Sequence, residues 1–216
     1  MESLFDVLSD VERRDVVQRS RRRAFKAGEV VFQEGESGDT LHIIESGLVA
    51  VRGTTPLGDV TTFAVLGTGA TFGEVALVLE ERERSATALA VAPTRTLALH
   101  RRDVEELRAS VPALGRAVEV ALALAVRRLS ARLLEAHYVA TDKRVARRLV
   151  ELASIVGEVA DGTVIPFTQD DVAGLSGAAR PTVNKILQEL REAGAIDLGR
   201  GRIVVSDAVT LLRKAR

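Results

Sequence analysis

Phe72-Gly73-Glu74-Val75-Ala76-Leu77, followed after a short acidic run by Arg84-Ser85-Ala86-Thr87, sets a carboxylate, an arginine and a hydroxyl close together. The surrounding segment is otherwise patterned for a small β-domain. A planar guanidinium donates two parallel hydrogen bonds and so suits a phosphate. Gly73 lets backbone N–H groups approach the same anion. Glu74 cannot serve a phosphate, but it can accept hydrogen bonds from a sugar hydroxyl. Together these residues read as a pocket for a phosphorylated sugar. The alternative is a Glu74–Arg84 salt bridge in a fold that takes no ligand.

Outward from that run, residues 24–100 hold short β-rich stretches at 29–32, 40–44, 48–51, 60–65, 86–92 and 96–100. Gly28, Gly35, Gly38, Gly47, Gly58, Gly67 and Gly69 punctuate them. Short strands with regular turn signals predict an antiparallel sandwich or barrel. Before them, residues 1–23 read as a short amphipathic helix ending in the basic run Arg21-Arg22-Arg23.

From Arg102 the pattern turns helical and stays so past residue 150. Val118, Leu122, Val126, Leu129, Leu133, Ala136 and Ala140 recur at alternating steps of four and three, the seam of a coiled coil. A long helix with so narrow a stripe predicts pairing with a second copy; packing on its own domain is the alternative. Asp142-Lys143 ends the seam and begins the next domain. Residues 143–156 form another amphipathic helix, and Thr168-Gln169-Asp170-Asp171 has the form of a capping box. A helix, a tight turn at Gly177, a second helix over 179–193 and a C-terminal Gly194 follow. A hairpin over 196–205, turning at 199–202, completes a winged helix.

The second of those helices carries Ala179, Arg180, Pro181, Thr182, Asn184 and Lys185 at its start. Recognition helices present their N-terminal residues to base edges in the major groove of double-stranded DNA. Arg180 can reach guanine O6 and N7 bidentately, and Lys185 can reach a base or a phosphate. Thr168 and Gln169 are placed for backbone phosphates, which position the protein without specifying sequence. Arg200 and Arg202 at the wing tip can do likewise. Val183, Ile186, Leu187 and Leu190 supply the buried stripe.

Composition excludes more than it identifies. The chain has 216 residues, no Cys and three scattered His, which removes disulfides, thiolate–zinc sites and cysteine-held clusters. No nucleophile–base pair, metal cluster or Walker-type glycine loop argues for an enzyme. No run reaches the roughly 18 apolar residues of a membrane span, and a soluble cytoplasmic protein is expected. Net charge is zero overall. It divides into 11 basic against 15 acidic side chains over residues 1–100, and 19 against 15 over 101–216. That asymmetry leans toward a DNA-binding C-terminal half.

The run 72–87 resembles the phosphate-binding cassette of cyclic-nucleotide-binding domains, with Gly73, Glu74, Arg84 and Ser85 matching residue for residue. Residues 168–185 resemble the helix–turn–helix of the CRP/FNR regulators, whose recognition helix reads Arg-Glu-Thr-Val-x-Arg/Lys. Here it reads Arg180-Pro181-Thr182-Val183-Asn184-Lys185. Pro181 stands where the family's cytosine-reading Glu would be, so that contact is expected to be lost. By the resemblance, Arg84, Ser85 and backbone near Val75 hold a cyclic phosphate, and Glu74 holds the ribose 2′-hydroxyl. Two helix positions facing the base fall at Leu129 and Ser130, of which Ser130 alone keeps a hydroxyl. The implied architecture is α+β: a jelly-roll-like β-roll over 1–113, a dimerisation helix over 114–140 and a winged helix over 141–216. The implied function is a homodimeric transcription regulator with no cofactor. A cyclic nucleotide would control it allosterically, cyclic AMP ahead of cyclic GMP, on a pseudo-palindromic operator beside RNA polymerase. The alternative is a regulator whose β-roll is vestigial or takes another ligand.

Overall fold

The computed structural model describes residues 8–55, 58 and 60–216. It divides into two compact units, Met1–Gly53 with Leu66–Arg128, and Thr54–Val65 with Leu129–Arg216.

In the first unit, α1 (Asp10–Arg19) opens with a capping box in which Ser9 and Glu12 satisfy each other's orphan groups. The expected helix over 1–23 is shorter at both described limits. Met1–Val7 lie outside the described residues, and Arg21–Phe25 is strand β1, not a helix end. Four of those five residues are exposed, so no apolar alternation announces the strand. Its pairing with a distant partner, β8 (Thr94–His100), creates it. The remaining strands before residue 101 are β2 (Val30–Phe32), β3 (Thr40–Ser46), β4 (Val49–Thr54), β5 (Val60–Leu66), β6 (Thr71–Phe72) and β7 (Thr87–Ala90), of which β5, but for Leu66, falls in the second unit. They form two antiparallel sheets, β1-β8-β3-β6 and β2-β7-β4-β5. A single helical turn, α2 (Val75–Val78), follows β6.

The helical region breaks where the sequence reading ran it on. Helix α3 (Arg101–Ser110) ends at Val111, and α4 starts at Pro112 and runs to Tyr138. Proline suits that first position because the N–H it lacks has no intrahelical partner there. Leu41, Ile43, Leu97 and Leu99 from the sheet pack with Val16, Val104, Leu107, Leu114 and Val118, all nearly excluded from solvent. Two members of the apolar seam, Val118 and Leu122, are therefore committed to this core. Further along α4, Val126, Leu129 and Leu133 are 64%, 49% and 62% exposed. Ala140 has left the helix and precedes α5 (Thr141–Val156).

The second unit contains α5, β9 (Val164–Ile165), α6 (Gln169–Ser176), α7 (Arg180–Glu192), β10 (Ile196–Gly199), β11 (Arg202–Val205) and α8 (Ala208–Lys214). A three-stranded sheet of order β10-β11-β9 forms the wing. Strand β9 has two residues and α8 seven, too little pattern for the sequence to announce either. Leu149, Leu152, Ile165, Phe167 and Leu187 are buried to 1% exposure or less and make its core. The joint between α4 and α5 is ionic. Glu135 accepts from Arg147 at 2.9 Å and Arg148 at 2.7 Å. Arg148 also reaches Glu151 at 2.8 Å, which pairs with Arg132 at 2.9 Å.

Phe167 is the largest fully buried side chain of the winged helix. Phe167→Ala should cost about 3–5 kcal/mol in that unit, read as a lower urea midpoint for its unfolding transition while the β-roll transition stays in place.

Candidate functional site

Two constellations came out of the sequence, one in each unit. In the β-roll, Arg84 is only 4% exposed. Its Nη1 donates to the Gly73 carbonyl at 3.0 Å and its Nη2 to the Thr40 hydroxyl at 2.8 Å. The guanidinium carbon lies 4.0 Å above the centre of the Phe32 ring, a cation–π contact strengthened by desolvation. Nε is buried without a hydrogen-bond partner. Burial pushes the Arg84 pKa down, and Asp39, Glu36 and Glu74 pull it back; so strong a base remains charged.

The chain around Arg84 is shaped to its side chain. Gly73 has φ +87°, and a Cβ there would fall 2.6 Å from Arg84 Nη1. A Cβ on Gly38 would fall 2.8 Å from Arg84 Nε. Neither position can carry a side chain while the arginine occupies this path. Behind Thr40 sits His42, 5% exposed, with one ring nitrogen 3.3 Å from the Thr40 hydroxyl and the other 3.1 Å from that of Thr96. Burial, reinforced by the Arg84 and Arg23 charges, lowers its pKa to about 4. The neutral ring accepts from one threonine and donates to the other.

Glu74 precedes α2, and its Oε2 is buried with no hydrogen-bond partner. Burial raises its pKa; a hydrogen bond from its own backbone N–H, then the charges of Arg128 and Arg84, oppose this without prevailing. Among the described residues no salt bridge joins Glu74 to Arg84. Both leave polar atoms shielded and unsatisfied, an arrangement that costs stability unless another group completes it. Val75 is half-buried and Ser85 exposed. Thr40, Phe32, Gly38 and Arg128 escaped the sequence reading. They are separated from residues 72–85 by runs read only as strand, turn or helix, and no local spacing links them to Arg84 or Glu74.

Leu129 and Ser130, both exposed on α4, belong to the second unit. There Leu129 lines a cavity of about 270 Å³ together with Thr62, Phe63, Leu133 and Leu175.

In the winged helix, the Thr168 capping box forms as expected. The hydroxyl accepts from Asp171 N, and the Asp171 carboxylate takes Thr168 N at 2.8 Å. Gly177 turns the chain with φ +58°. Ala179 caps α7, and Arg180, Pro181, Thr182 and Lys185 are exposed along its start. Val183, Ile186, Leu187 and Leu190 face inward. Gln169 is half-buried, and Asn184 is half-buried with its Oδ1 shielded. Arg200 and Arg202 are exposed at the wing turn. Arg180 Nε lies 2.6 Å from Asp170 Oδ1, and Lys185 Nζ 3.9 Å from Glu189. Asp170 was read only as part of the capping box.

The raised Glu74 pKa has a stability consequence. Between the ordinary carboxylate range and its raised folded value, the folded state binds the Glu74 proton more tightly than the unfolded state does. Stability therefore falls as pH rises through that window. Glu74→Gln should be more stable than the parent at neutral pH without ligand, and the gain should vanish below about pH 4. Urea midpoints at both pH values check this.

Two protein families match the chain, one over each of these constellations. The cyclic nucleotide-binding domain family matches residues 22–110, and the Crp-like helix-turn-helix domain family matches residues 143–214. The Cyclic AMP receptor protein of Thermus thermophilus is 34% identical over 191 residues, covering 88% of this chain and 86% of that protein. The CRP-like cAMP-activated global transcriptional regulator of Mycobacterium tuberculosis is 31% identical over 195 residues, covering 89% and 87%. A crystal structure of a CRP/FNR-family transcriptional regulator from Thermus thermophilus superposes with a TM-score of 0.74 at 29% identity, covering 90% of this chain and 98% of that one. With a cyclic nucleotide-binding β-roll followed by a winged helix-turn-helix, the chain belongs to the CRP/FNR family of transcription regulators.

Proposed function

We propose that this regulator is a homodimer whose affinity for operator DNA is set by a cyclic nucleotide, cyclic AMP ahead of cyclic GMP. The ligand domain is assigned to residues 1–113, the dimer helix to 114–140 and the DNA-binding domain to 141–216. The observation that carries the ligand reading is the pairing of a buried Arg84 with a Glu74 whose Oε2 has no partner. Arg84, Ser85 and backbone around Gly73 and Val75 supply donors to a cyclic phosphate. Glu74 supplies the acceptor a ribose hydroxyl needs. Two relatives of similar length are named for cyclic AMP, which favours that nucleotide.

Helix α4 is the proposed route from ligand to DNA. It contributes Leu114 and Val118 to the first unit's core and Glu135 to the ionic joint of the second. The exposed Val126, Leu129 and Leu133 offer an apolar face to a second copy. Ser130 and Leu129 would meet the base. A ligand that binds one arrangement of this helix more tightly shifts the population toward it. The recognition helices then take a spacing that fits two half-sites of a pseudo-palindrome. Such coupling typically amounts to about 1–3 kcal/mol. In each subunit α7 enters a major groove, with Arg180 on a guanine and Thr182, Asn184 and Lys185 beside it. Thr168, Gln169, Arg200 and Arg202 hold phosphates, and Ala179 and Pro181 bring the backbone close. The complex works with RNA polymerase in the cytoplasm.

Isothermal titration with cyclic AMP, and with cyclic GMP in parallel, tests the ligand reading. Micromolar or tighter binding of one is expected; no heat with either transfers the β-roll to another ligand or to none. Arg84→Leu should abolish binding. Because Arg84 also ties Thr40 to Gly73, exposed Ser85→Ala is the cleaner probe, with an expected loss of about 1.5–3 kcal/mol. Arg180→Ala should cost roughly 1–3 kcal/mol on specific DNA. An equal loss on random DNA would reduce Arg180 to a phosphate contact.

A further inference from the structure

The first turn of α6 holds two adjacent carboxylates with different partners. Asp171 is committed to the capping box, accepting from Thr168 N at 2.8 Å and from the Thr168 hydroxyl at 2.7 Å. Asp170 points instead to the neighbouring helix, where its Oδ1 lies 2.6 Å from Nε of Arg180, the first residue of α7. The side chains are 55% and 66% exposed, so the pair adds little to stability. Its consequence is geometric. An unrestrained arginine samples many rotamers and loses that freedom when it docks on a base edge. A carboxylate against Nε restricts the guanidinium before DNA arrives. The two terminal nitrogens, which reach past Nε, stay available to a guanine edge.

We propose that Asp170 is a positioning residue for sequence recognition. It orients Arg180 on its guanine and supplies, from α6, a carboxylate beside the reading arginine where α7 itself has Pro181. The inference rests on the proposed entry of α7 into the major groove. Asp170 also penalises binding where Arg180 finds no base partner. A carboxylate near the duplex is repelled by phosphates, so any register that leaves it unpaired is disfavoured. Asp170 therefore acts on discrimination: its loss lowers affinity for the selected duplex relative to random DNA.

The test uses the full-length protein with cyclic AMP and a duplex selected by the parent from random DNA. Fluorescence anisotropy at one fixed salt concentration compares that duplex, its single-base-pair variants and random DNA. The base pair that Arg180→Ala relaxes is the one Arg180 reads. At that pair the parent should discriminate by on the order of tenfold or more. Asp170→Asn should bring discrimination there close to unity, with affinity for random DNA unchanged or higher. Asp170→Glu should restore part of it. The double variant Asp170→Asn/Arg180→Ala should discriminate no worse than Arg180→Ala alone. Full discrimination in Asp170→Asn, or proportionate losses on selected and random DNA, overturns the role of Asp170 and leaves the groove reading standing. An Arg180→Ala variant that relaxes no base pair overturns both.

Discussion

A guanidinium held out of water ties together separate stretches of chain in the first unit. Removing a charge from water is expensive, and hydrogen bonds and polarisable surface must offset it. Arg84 gets this from the Gly73 carbonyl, the Thr40 hydroxyl and the Phe32 face. Those three lie on separate pieces of chain, so one side chain fixes the end of β2, the start of β3 and the entrance to α2 together. The path it takes helps to exclude a side chain at Gly73 and, together with the Ala76 methyl, at Gly38. The neutrality of His42 follows in part from the same charge.

The offset is incomplete, and that is informative. Arg84 Nε and Glu74 Oε2 are both shielded without partners, and Glu74 holds its proton more tightly than an ordinary carboxylate. A stability-optimised core would not keep both. Sites built to bind are where such local deficits persist, and the proposed nucleotide would complete this set.

The second unit is held differently. Aliphatic and aromatic burial makes its core, while charge networks set its joints: Glu135 and Glu151 with Arg132, Arg147 and Arg148. On the proposed DNA face, Asp170 and Arg180 are both more than half exposed. Their pairing shapes a side chain's conformations without stabilising the fold. The apolar seam of α4 is likewise divided. Its early members close the β-roll core, and its later members remain at the surface.

Local chemistry made much of this readable from the chain. The Thr168 box, the turn at Gly177, the stripe Val183-Ile186-Leu187-Leu190 and the wing hairpin are set by near neighbours, and each forms where the sequence places it. The cassette residues were likewise visible because Gly73, Glu74, Arg84 and Ser85 lie within thirteen positions. Other features required the fold. Strand β1 has no pattern of its own and exists through β8. Thr40 meets Arg84 across 44 positions, and Asp170 meets Arg180 only because the turn at Gly177 folds α7 back onto α6. Sequence spacing reports partners a few residues apart, since helix and strand periodicities bring those together whatever the rest does. Partners farther apart are chosen by how sheets pair and helices pack, and only the tertiary structure decides that.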